Sequence, residues 1–279
     1  MEEPDVVPAA RGAIGLPRLG SSPQTALAQF VIRTLLRSRR HRAIVAFYLG
    51  GGFAIVALTW AGTIGAMGRP GATHLTATGL ARRVNGPPLV SSVLIMCALW
   101  LGILTVFSLP LDLRANWLFR VTPTLGSTAL LSAVRRAFLA LAVFPVLAAT
   151  AALLLWFWPW TPAAGHLLVL GIAGSILVDI SLRGFRKIPF TCSYLPGKSK
   201  VHMVFWFGAI PVVIAIGDAV ELEQRAMASP LSYWTMAAIL AAAAFAARWI
   251  TNARAQRSGP EIQFEESASD ELIGLRLNR

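Results

Sequence analysis

The sequence predicts an all-α, polytopic membrane protein with six transmembrane helices and both termini in the cytoplasm. Three observations lead to this fold class: 56% of the 279 residues are hydrophobic, only 14% are charged, and the apolar residues gather in long runs. A soluble domain carries about 25% charged residues, whereas a helix needs about 20 mostly apolar residues to cross the hydrocarbon core of a bilayer. Lipid is therefore the expected solvent for most of this chain.

Six apolar segments are long enough to form membrane-spanning helices. They cover residues 43–67, 88–110, 137–158, 163–182, 201–220 and 231–250, within a transmembrane domain at 43–250. Ser229 offers a helix cap and Pro230 suits the first turn that follows, which predicts the start of the sixth span. The "WFWPWTP" stretch at 156–162 ends the third span and leaves a short connection to the fourth, so these two helices should be antiparallel neighbours.

Small residues and prolines predict close packing and local distortion within the spans. Gly50, Gly51 and Gly52 interrupt the first span, and such residues let membrane helices approach closely. Pro145 in the third span lacks a backbone N–H and should kink that helix or loosen its hydrogen-bond ladder.

Lysine and arginine are unevenly distributed between the connections, which predicts the orientation. The segments before the first span and after the second, fourth and sixth hold 21 of these residues, and the opposite connections hold 4. Because short cytoplasmic segments carry the excess of basic residues, both termini are expected on the cytoplasmic side of a bacterial inner membrane. The net charge of +12 then favours phospholipid headgroups over nucleic acid as the anionic partner.

The segments that flank the spans differ in composition. Residues 1–22 are polar and contain several prolines, which predicts a disordered segment. Residues 23–42 end in a basic cluster and predict an amphipathic helix in the headgroup layer, with one face formed by Leu27, Phe30, Val31, Thr34 and Leu35. The tail at 251–279 is acidic, and we expect it to be cytoplasmic and mostly disordered.

Two basic cytoplasmic connections, 112–136 and 183–200, are the candidate surfaces for a partner protein or anionic headgroups. The candidate contact residues in them are Arg114, Trp117, Arg120, Arg183, Arg186, Lys187, Lys198 and Lys200. Residues 197–199 also match the end of a phosphate-binding loop, G-x-x-x-x-G-K-[ST]. However, Cys192 replaces the first glycine, and the segment joins two membrane spans instead of a strand and a helix, so a nucleotide site is not expected.

Two carboxylates lie inside predicted spans, where ionisable residues are functional candidates. Asp179 lies near the cytoplasmic end of the fourth span and Asp218 near the outer end of the fifth, about 20 Å apart in depth. This separation excludes a catalytic pair. Asp179 is predicted to pair with Arg183 one turn later, and Asp218 to join Glu221 and Glu223 in an acidic outer rim. Asp179 and Asp218 remain candidates for a polar path for protons or cations.

The sequence carries no recognisable catalytic, cofactor or metal signature. Ser175 in "GIAGSILV" lacks the following glycine of rhomboid-type proteases, and Cys192 has no base beside it. The four histidines have no spacing that would hold zinc. These observations lean away from an enzyme and predict no cofactor.

Two stretches, "LRANWLFR" at 113–120 and "RKIPFTCSYLPGKS" at 186–199, resemble segments of bacterial multi-pass membrane proteins without an assigned activity. That resemblance implies a multi-pass fold and no particular reaction. The layout is also similar to type-2 membrane subunits of ATP-binding-cassette exporters, which have an interfacial N-terminal helix, six spans and a cytoplasmic connection that meets an ATPase. This similarity implies a transport role, although the short outer connection at 221–229 departs from the exporter pattern.

Three functions remain open at this point. The leading hypothesis is a transport or permease-type membrane subunit that works with a cytoplasmic ATPase or another protein subunit. The second is a membrane enzyme that acts on phospholipid or isoprenoid-phosphate substrates, with arginine and lysine holding phosphate. The third is a non-catalytic scaffold. Membrane lipids are expected partners in each case, and assembly into a homo-oligomer is left open.

Overall fold

The computed structural model describes residues 22–67, 77–107, 109, 126–183, 189–190 and 201–257. Within these ranges, the side chains at 22–23, 66–67, 77–85, 127 and 201–211 lie outside the description. The described regular structure is all-helical and consists of α1 (Ser22–Arg37), α2 (Arg39–Met67), α3 (Ala77–Phe107), α4 (Ser127–Phe138), α5 (Phe144–Phe157), α6 (Trp160–Ser181), α7 (Val201–Ala226) and α8 (Pro230–Arg257). The predicted all-α class is thus confirmed for the described residues.

Among the residues that the structure describes, five helical segments are long and apolar enough to cross a membrane. They are Arg39–Gly65, Gly86–Phe107, Thr128–Phe157, Trp160–Ser181 and Pro230–Arg257, and they coincide with the first four predicted spans and the sixth. Large apolar side chains stand exposed on these helices, among them Phe47, Trp156 and Phe245 with 76%, 82% and 73% exposure. Extensive apolar surface of this kind is suited to lipid. The architecture is that of a multi-pass helical membrane protein.

Helix α7 covers the predicted fifth span and continues to Ala226. Its 26 residues correspond to a length of about 39 Å at a rise of 1.5 Å per residue, which exceeds the thickness of the hydrocarbon core. Its described side chains begin at Val212. The count of six spans therefore stays a prediction.

The predicted local signals mark several helix ends. Trp158 and Pro159 separate α5 from α6, as the sequence predicts. Pro230 occupies the first position of α8, where the Tyr233 N–H donates to the Ser229 carbonyl at 3.0 Å. Helix α8 continues to Arg257, past the predicted span end at 250 and into the segment assigned to the tail. A membrane helix can extend beyond the end of its apolar run, because its backbone can continue into the headgroup layer.

A π-helical turn at Leu139–Val143 joins α4 to α5 and ends two residues before Pro145. Because proline cannot donate to the preceding turn, the ladder at this point is already incomplete. The sequence predicts a loosened hydrogen-bond ladder near Pro145, and the structure has a wider π turn there. It also faces α6, since a Cβ built on Gly174 would lie 3.0 Å from Val143.

Helices α2 and α3 are in close contact through glycines. A Cβ built on Gly52 would lie 2.6 Å from the Cβ of Ala98, and one built on Gly102 would lie 3.2 Å from the Cβ of Tyr48. By contrast, Gly50 and Gly51 have nothing within 4 Å. Only one of the three consecutive glycines in the first span therefore serves helix packing.

The main hydrophobic core is formed by the apolar faces of α1, α3, α4 and the π turn, together with the end of α6. Helix α1 contributes Leu27, Val31 and Leu35, which are all buried. The structure has a helix at Ser22–Arg37 and begins α2 at Arg39, so it does not show one continuous helix over 23–42. Apolar residues of α1 pack onto the protein core, and an amphipathic helix in the headgroup layer stays a prediction.

Candidate functional site: polar clusters at the two ends of helix α6

Helix α6 turns one face into the protein and carries an ionisable residue at each end of it. His166, Leu170, Gly174 and Val178 follow one another at intervals of four residues and are all buried. This spacing aligns them along one side of a helix. Asp179, adjacent to Val178, is buried as well, with 4% exposure.

The first cluster, called the His166 cluster, contains Ser92 of α3, His166 of α6 and Glu223 of α7. The Nδ1 atom of His166 lies 2.9 Å from Oε1 of Glu223, and its Nε2 atom lies 2.7 Å from Oγ of Ser92. The three residues are 6%, 0% and 3% exposed. Three separate helices are thus joined by hydrogen bonds through one imidazole ring.

The His166 cluster has the order of contacts found in hydrolase triads, but its setting does not suit acyl transfer. Ser92 lies inside α3, where backbone N–H groups bond within the helix and are not free to stabilise an oxyanion. Pro87 and Pro88, one turn earlier, release carbonyl groups and not donors. The Ser92 hydroxyl also donates to the Leu89 carbonyl at 2.7 Å. The cluster is therefore better suited to holding a proton than to forming an acyl intermediate.

The second cluster, called the Asp179 cluster, contains Arg135 of α4, Asp179 of α6, and Thr251 and Asn252 of α8. Arg135 Nε donates to Asp179 Oδ1 at 2.6 Å, and Arg135 Nη2 donates to Asn252 Oδ1 at 3.2 Å. Thr251 donates to the Asp179 carbonyl at 3.0 Å. The side chains of Arg135 and Asp179 are 6% and 5% exposed, so this is a buried ion pair.

The predicted pairing of Asp179 with Arg183 is wrong. Asp179 faces Arg135, and Arg183 is exposed beyond the end of α6. The rule for residues four apart on one helix favours Arg183, but it holds on a helix surface. Asp179 points to the inside of the bundle, where only a residue from another helix can reach it.

The predicted acidic outer rim is also wrong in part. Glu223 is buried against His166, and Glu221 accepts a hydrogen bond from Arg225 at the helix surface. Asp218 is exposed. Asp218 and Glu221 are three residues apart and share the exposed side of α7, whereas Glu223 lies on the buried side.

The two clusters lie at opposite ends of the bundle. His166 and Asp179 are separated along α6 by about 20 Å, at a rise of 1.5 Å per residue. Leu170 and Gly174 fill the buried face between them. On the Asp179 side, Arg136 donates to Gln24 near the start of α1, while its neighbour Arg135 reaches Asn252 near the end of α8. Both ends of the described chain therefore lie at the same end of the bundle as the Asp179 cluster.

Most of the predicted contact residues cannot be placed against these clusters. Arg114, Trp117, Arg120, Arg186, Lys187, Lys198 and Lys200 lie outside the described residues. Of the predicted set, the structure places Arg183 on the surface near the Asp179 cluster. The two residues predicted for a polar path have different environments, since Asp179 is buried and Asp218 is exposed.

One residue of the second basic connection, Phe190, is firmly anchored. It is 2% exposed, has a φ of 68°, and contacts the rings of Phe30, His41 and Phe107 at centroid distances of 6.5, 5.2 and 5.5 Å. A positive φ is unfavourable for a bulky residue. The aromatic packing must offset this conformational energy, which ties the connection after α6 to α1, α2 and α3.

An apolar groove of about 500 Å³ opens between α1, α2, α3 and α5. Its walls include Leu36, Leu49, Ile103 and Pro145, and Arg42 provides a cation within its lining. A groove with apolar walls and one cationic residue suits a lipid tail with an anionic headgroup.

Sequence reasoning missed Ser92, Glu223, His166 and Arg135 as partners. Their depth in the membrane could have predicted these contacts. Ser92, His166 and Glu223 all fall within about one helical turn of the predicted outer boundary. Arg135 likewise falls at the predicted inner boundary, at the same depth as Asp179. Polar residues at equal depth on the buried faces of different spans are candidates for contact.

Comparison with protein-family models, curated proteins and solved structures finds no match for this chain. Among the described residues, no group of three or more His, Cys, Asp and Glu side chains could hold a metal ion. The class of protein is therefore defined by the architecture alone: a multi-pass helical membrane protein with two buried polar clusters.

Proposed function

We propose that the chain is a transport or permease-type membrane subunit that works with a cytoplasmic ATPase. The observation that carries the proposal is the pair of buried polar clusters at the two ends of α6. Buried ion pairs are often no more stabilising than apolar residues of similar volume. Ionisable residues inside membrane proteins usually serve transport paths or other functions.

The arrangement of the two clusters fits a membrane pathway that opens at one end at a time. Each cluster joins α6 to a different set of helices, α3 and α7 at one end and α4 and α8 at the other. The apolar segment with Leu170 and Gly174 separates them. Breaking one cluster would loosen one end of α6 and leave the hydrogen bonds of the other cluster in place, as alternating access requires.

The proposal places six spans in a bacterial inner membrane, with the Asp179 cluster at the cytoplasmic side. The exposed arginines near that cluster, including Arg183, Arg254 and Arg257, support this orientation through the excess of basic residues on cytoplasmic segments. The basic connections at 112–136 and 183–200 then face the cytoplasm. Phe190 ties the second connection to the core, which would allow a partner bound there to act on the helices.

The proposal is tested by extracting the tagged chain gently from its native membrane and assaying the complex for ATP hydrolysis. We expect an ATPase to be retained by the wild type and lost when Arg186, Lys187, Lys198 and Lys200 are changed to Gln. The matched control changes the exposed Arg254 and Arg257 to Gln. These cations lie on the same side of the bundle but outside the two connections, so the control should retain the ATPase.

Two outcomes would contradict the proposal. One is a wild-type complex without ATPase activity. The other is equal loss of the ATPase from the connection variant and from the Arg254/Arg257 control, which would indicate a general effect of charge and no specific docking surface.

A second function, a membrane enzyme acting on phospholipid or isoprenoid phosphate, is favoured by the groove beside Arg42. Its distinguishing result is conversion of a radiolabelled lipid by the purified chain alone. Arg42→Gln should abolish that conversion if the groove holds the substrate, whereas the exposed Arg39→Gln should not.

A further inference from the structure

The hydrogen bonds of the His166 cluster are compatible with two protonation states. The Ser92 hydroxyl lies 2.7 Å from both the Leu89 carbonyl oxygen and His166 Nε2, so it can donate to either atom. When it donates to the Leu89 carbonyl, which can only accept, Ser92 Oγ accepts from His166 and Nε2 carries a proton. The contact of 2.9 Å between His166 Nδ1 and Glu223 Oε1 then requires a second proton between those two atoms. In this state the pair holds two protons, one more than a neutral imidazole beside a carboxylate.

The same residues can also satisfy their hydrogen bonds after one proton leaves. The remaining proton stays on Nδ1 and is donated to Glu223, while Nε2 becomes an acceptor. The Ser92 hydroxyl then turns from the Leu89 carbonyl to Nε2, at the same distance of 2.7 Å. The Leu89 carbonyl keeps its helical hydrogen bond from residue 93. No polar group is left unpaired in either state, so neither state carries the penalty of a buried orphan.

We infer that Ser92, His166 and Glu223 form a reversible proton-binding site, with the Ser92 hydroxyl as the switch between its two states. The loaded site has no net charge, and the released site carries one negative charge between three helices. Because a buried uncompensated charge is strongly unfavourable, release of the proton weakens the contact between α3, α6 and α7. The proton is thus the ligand, and the packing of the outer end of α6 responds to it.

The surroundings of the site contain few competing groups among the described side chains. On α7 they are the exposed Asp218 and the surface pair of Glu221 and Arg225. On α8 the nearest is Tyr233, whose hydroxyl donates to the Gly165 carbonyl at 3.0 Å. The described side chains of α3 add Ser92 and no charged group near the ring, and on α6 the titratable group is His166 itself.

The site lies close enough to the end of the bundle for protons to reach it. Glu221, about half exposed, is two residues from Glu223 on the same helix. Gln224, the next residue, has a buried side-chain nitrogen without a hydrogen-bond partner among the described residues. Buried amide groups of this kind are commonly satisfied by water, and we place the entry of the proton at this position.

The inference is tested by nitrogen-15 NMR of histidine-labelled protein in lipid nanodiscs over the pH range in which the protein stays folded. The His166 signals are assigned by their loss in H166Q. We expect a doubly protonated ring at the acidic end and a neutral ring with the proton on Nδ1 at the alkaline end. In E223Q the doubly protonated form should be absent at a pH at which the wild type shows it.

The matched control is E221Q, which removes a carboxylate from the surface of the same helix and should leave the His166 behaviour unchanged. A His166 ring that keeps one protonation state throughout, or equal behaviour of E223Q and E221Q, would overturn the inference. If E223Q does not fold, the S92A variant provides the test. Its Nε2 chemical shift in the neutral ring should change because the hydroxyl donor has been removed. An unchanged chemical shift would reject the role of Ser92 as the switch. The site does not depend on the proposed ATPase partner, so the two proposals can fail separately.

Discussion

At the scale of single residues, the decisive feature is that buried charges find their partners on other helices. Arg135 and Asp179 are 44 positions apart in sequence and meet because α4 and α6 pack together at one end of the bundle. Removing one member of a buried ion pair leaves the other without compensation, at a cost of about 3–5 kcal/mol. An exposed ion pair is worth far less.

Arg135→Ala should therefore destabilise the protein by about 3–5 kcal/mol, because Asp179 would remain buried without a cation. Arg183→Ala is the matched control. Arg183 lies one turn after Asp179 and is exposed, so its removal should have little effect. Thermal unfolding in mild detergent, followed by tryptophan fluorescence, measures both.

The charge-exchanged variant R135D/D179R extends this test. It should recover part of the stability lost in Arg135→Ala, since the two residues would again be paired. If Arg183→Ala proved as destabilising as Arg135→Ala, the pairing predicted from the sequence would be right and the observed contact wrong.

The residues of the clusters also show where sequence reasoning reaches its limit. Asp179 was recognisable as a candidate because a carboxylate inside an apolar run is unusual. Glu223 and His166 were not, because both lie near the predicted boundary, where charged residues are common. Their partnership arises only when α6 and α7 are packed together, and no local pattern carries that information.

At the scale of helices, close contact between α2 and α3 depends on single glycines. Gly52 allows the two backbones to approach so closely that any Cβ would overlap Ala98. Gly51 precedes it in the same helix and has open space around it. Substitutions at these two neighbouring positions therefore distinguish the effect of helix packing from the effect of backbone flexibility.

Gly52→Ala should destabilise the protein by about 1–3 kcal/mol, the usual effect of overpacking, because the new methyl group has no flexible neighbour to displace. Gly51→Ala should be neutral or stabilising by up to about 1 kcal/mol, since alanine favours a helix over glycine. Thermal unfolding of the two variants in the same detergent measures the difference. Equal stability of the two would contradict the α2–α3 contact.

The helices themselves were largely predictable from the sequence. The fourth predicted span, 163–182, corresponds to α6 at Trp160–Ser181, and the break at Trp158 and Pro159 was read from two prolines and their aromatic neighbours. The third span extends further, because α4 begins at Ser127 and adds about three amphipathic turns before the apolar run. Hydropathy identifies what lies in lipid, and it does not mark where a helix continues into the headgroup layer.

At the scale of the whole molecule, the basic residues predict the orientation, and the structure brings the two ends of the described chain to the same end of the bundle. The sequence puts most basic residues on one side of the predicted membrane. In the structure, α1 and the end of α8 meet at adjacent arginines, Arg136 and Arg135. An even number of spans is required if both ends lie on the same side, which supports α7 as the sixth span. The overall architecture followed from composition, whereas the function did not, because neither the clusters nor their partners form a sequence motif.

The most direct test of the account is the labelling of single cysteines by a membrane-impermeant reagent in intact cells, after Cys97 and Cys192 are replaced by serine. Ala228→Cys, in the turn between α7 and α8, should be labelled from outside. Arg37→Cys and Arg257→Cys, at the ends of α1 and α8, should be labelled only after the membrane is permeabilised. Labelling of either terminal position in intact cells, or protection of position 228, would contradict a six-span bundle with its basic end in the cytoplasm.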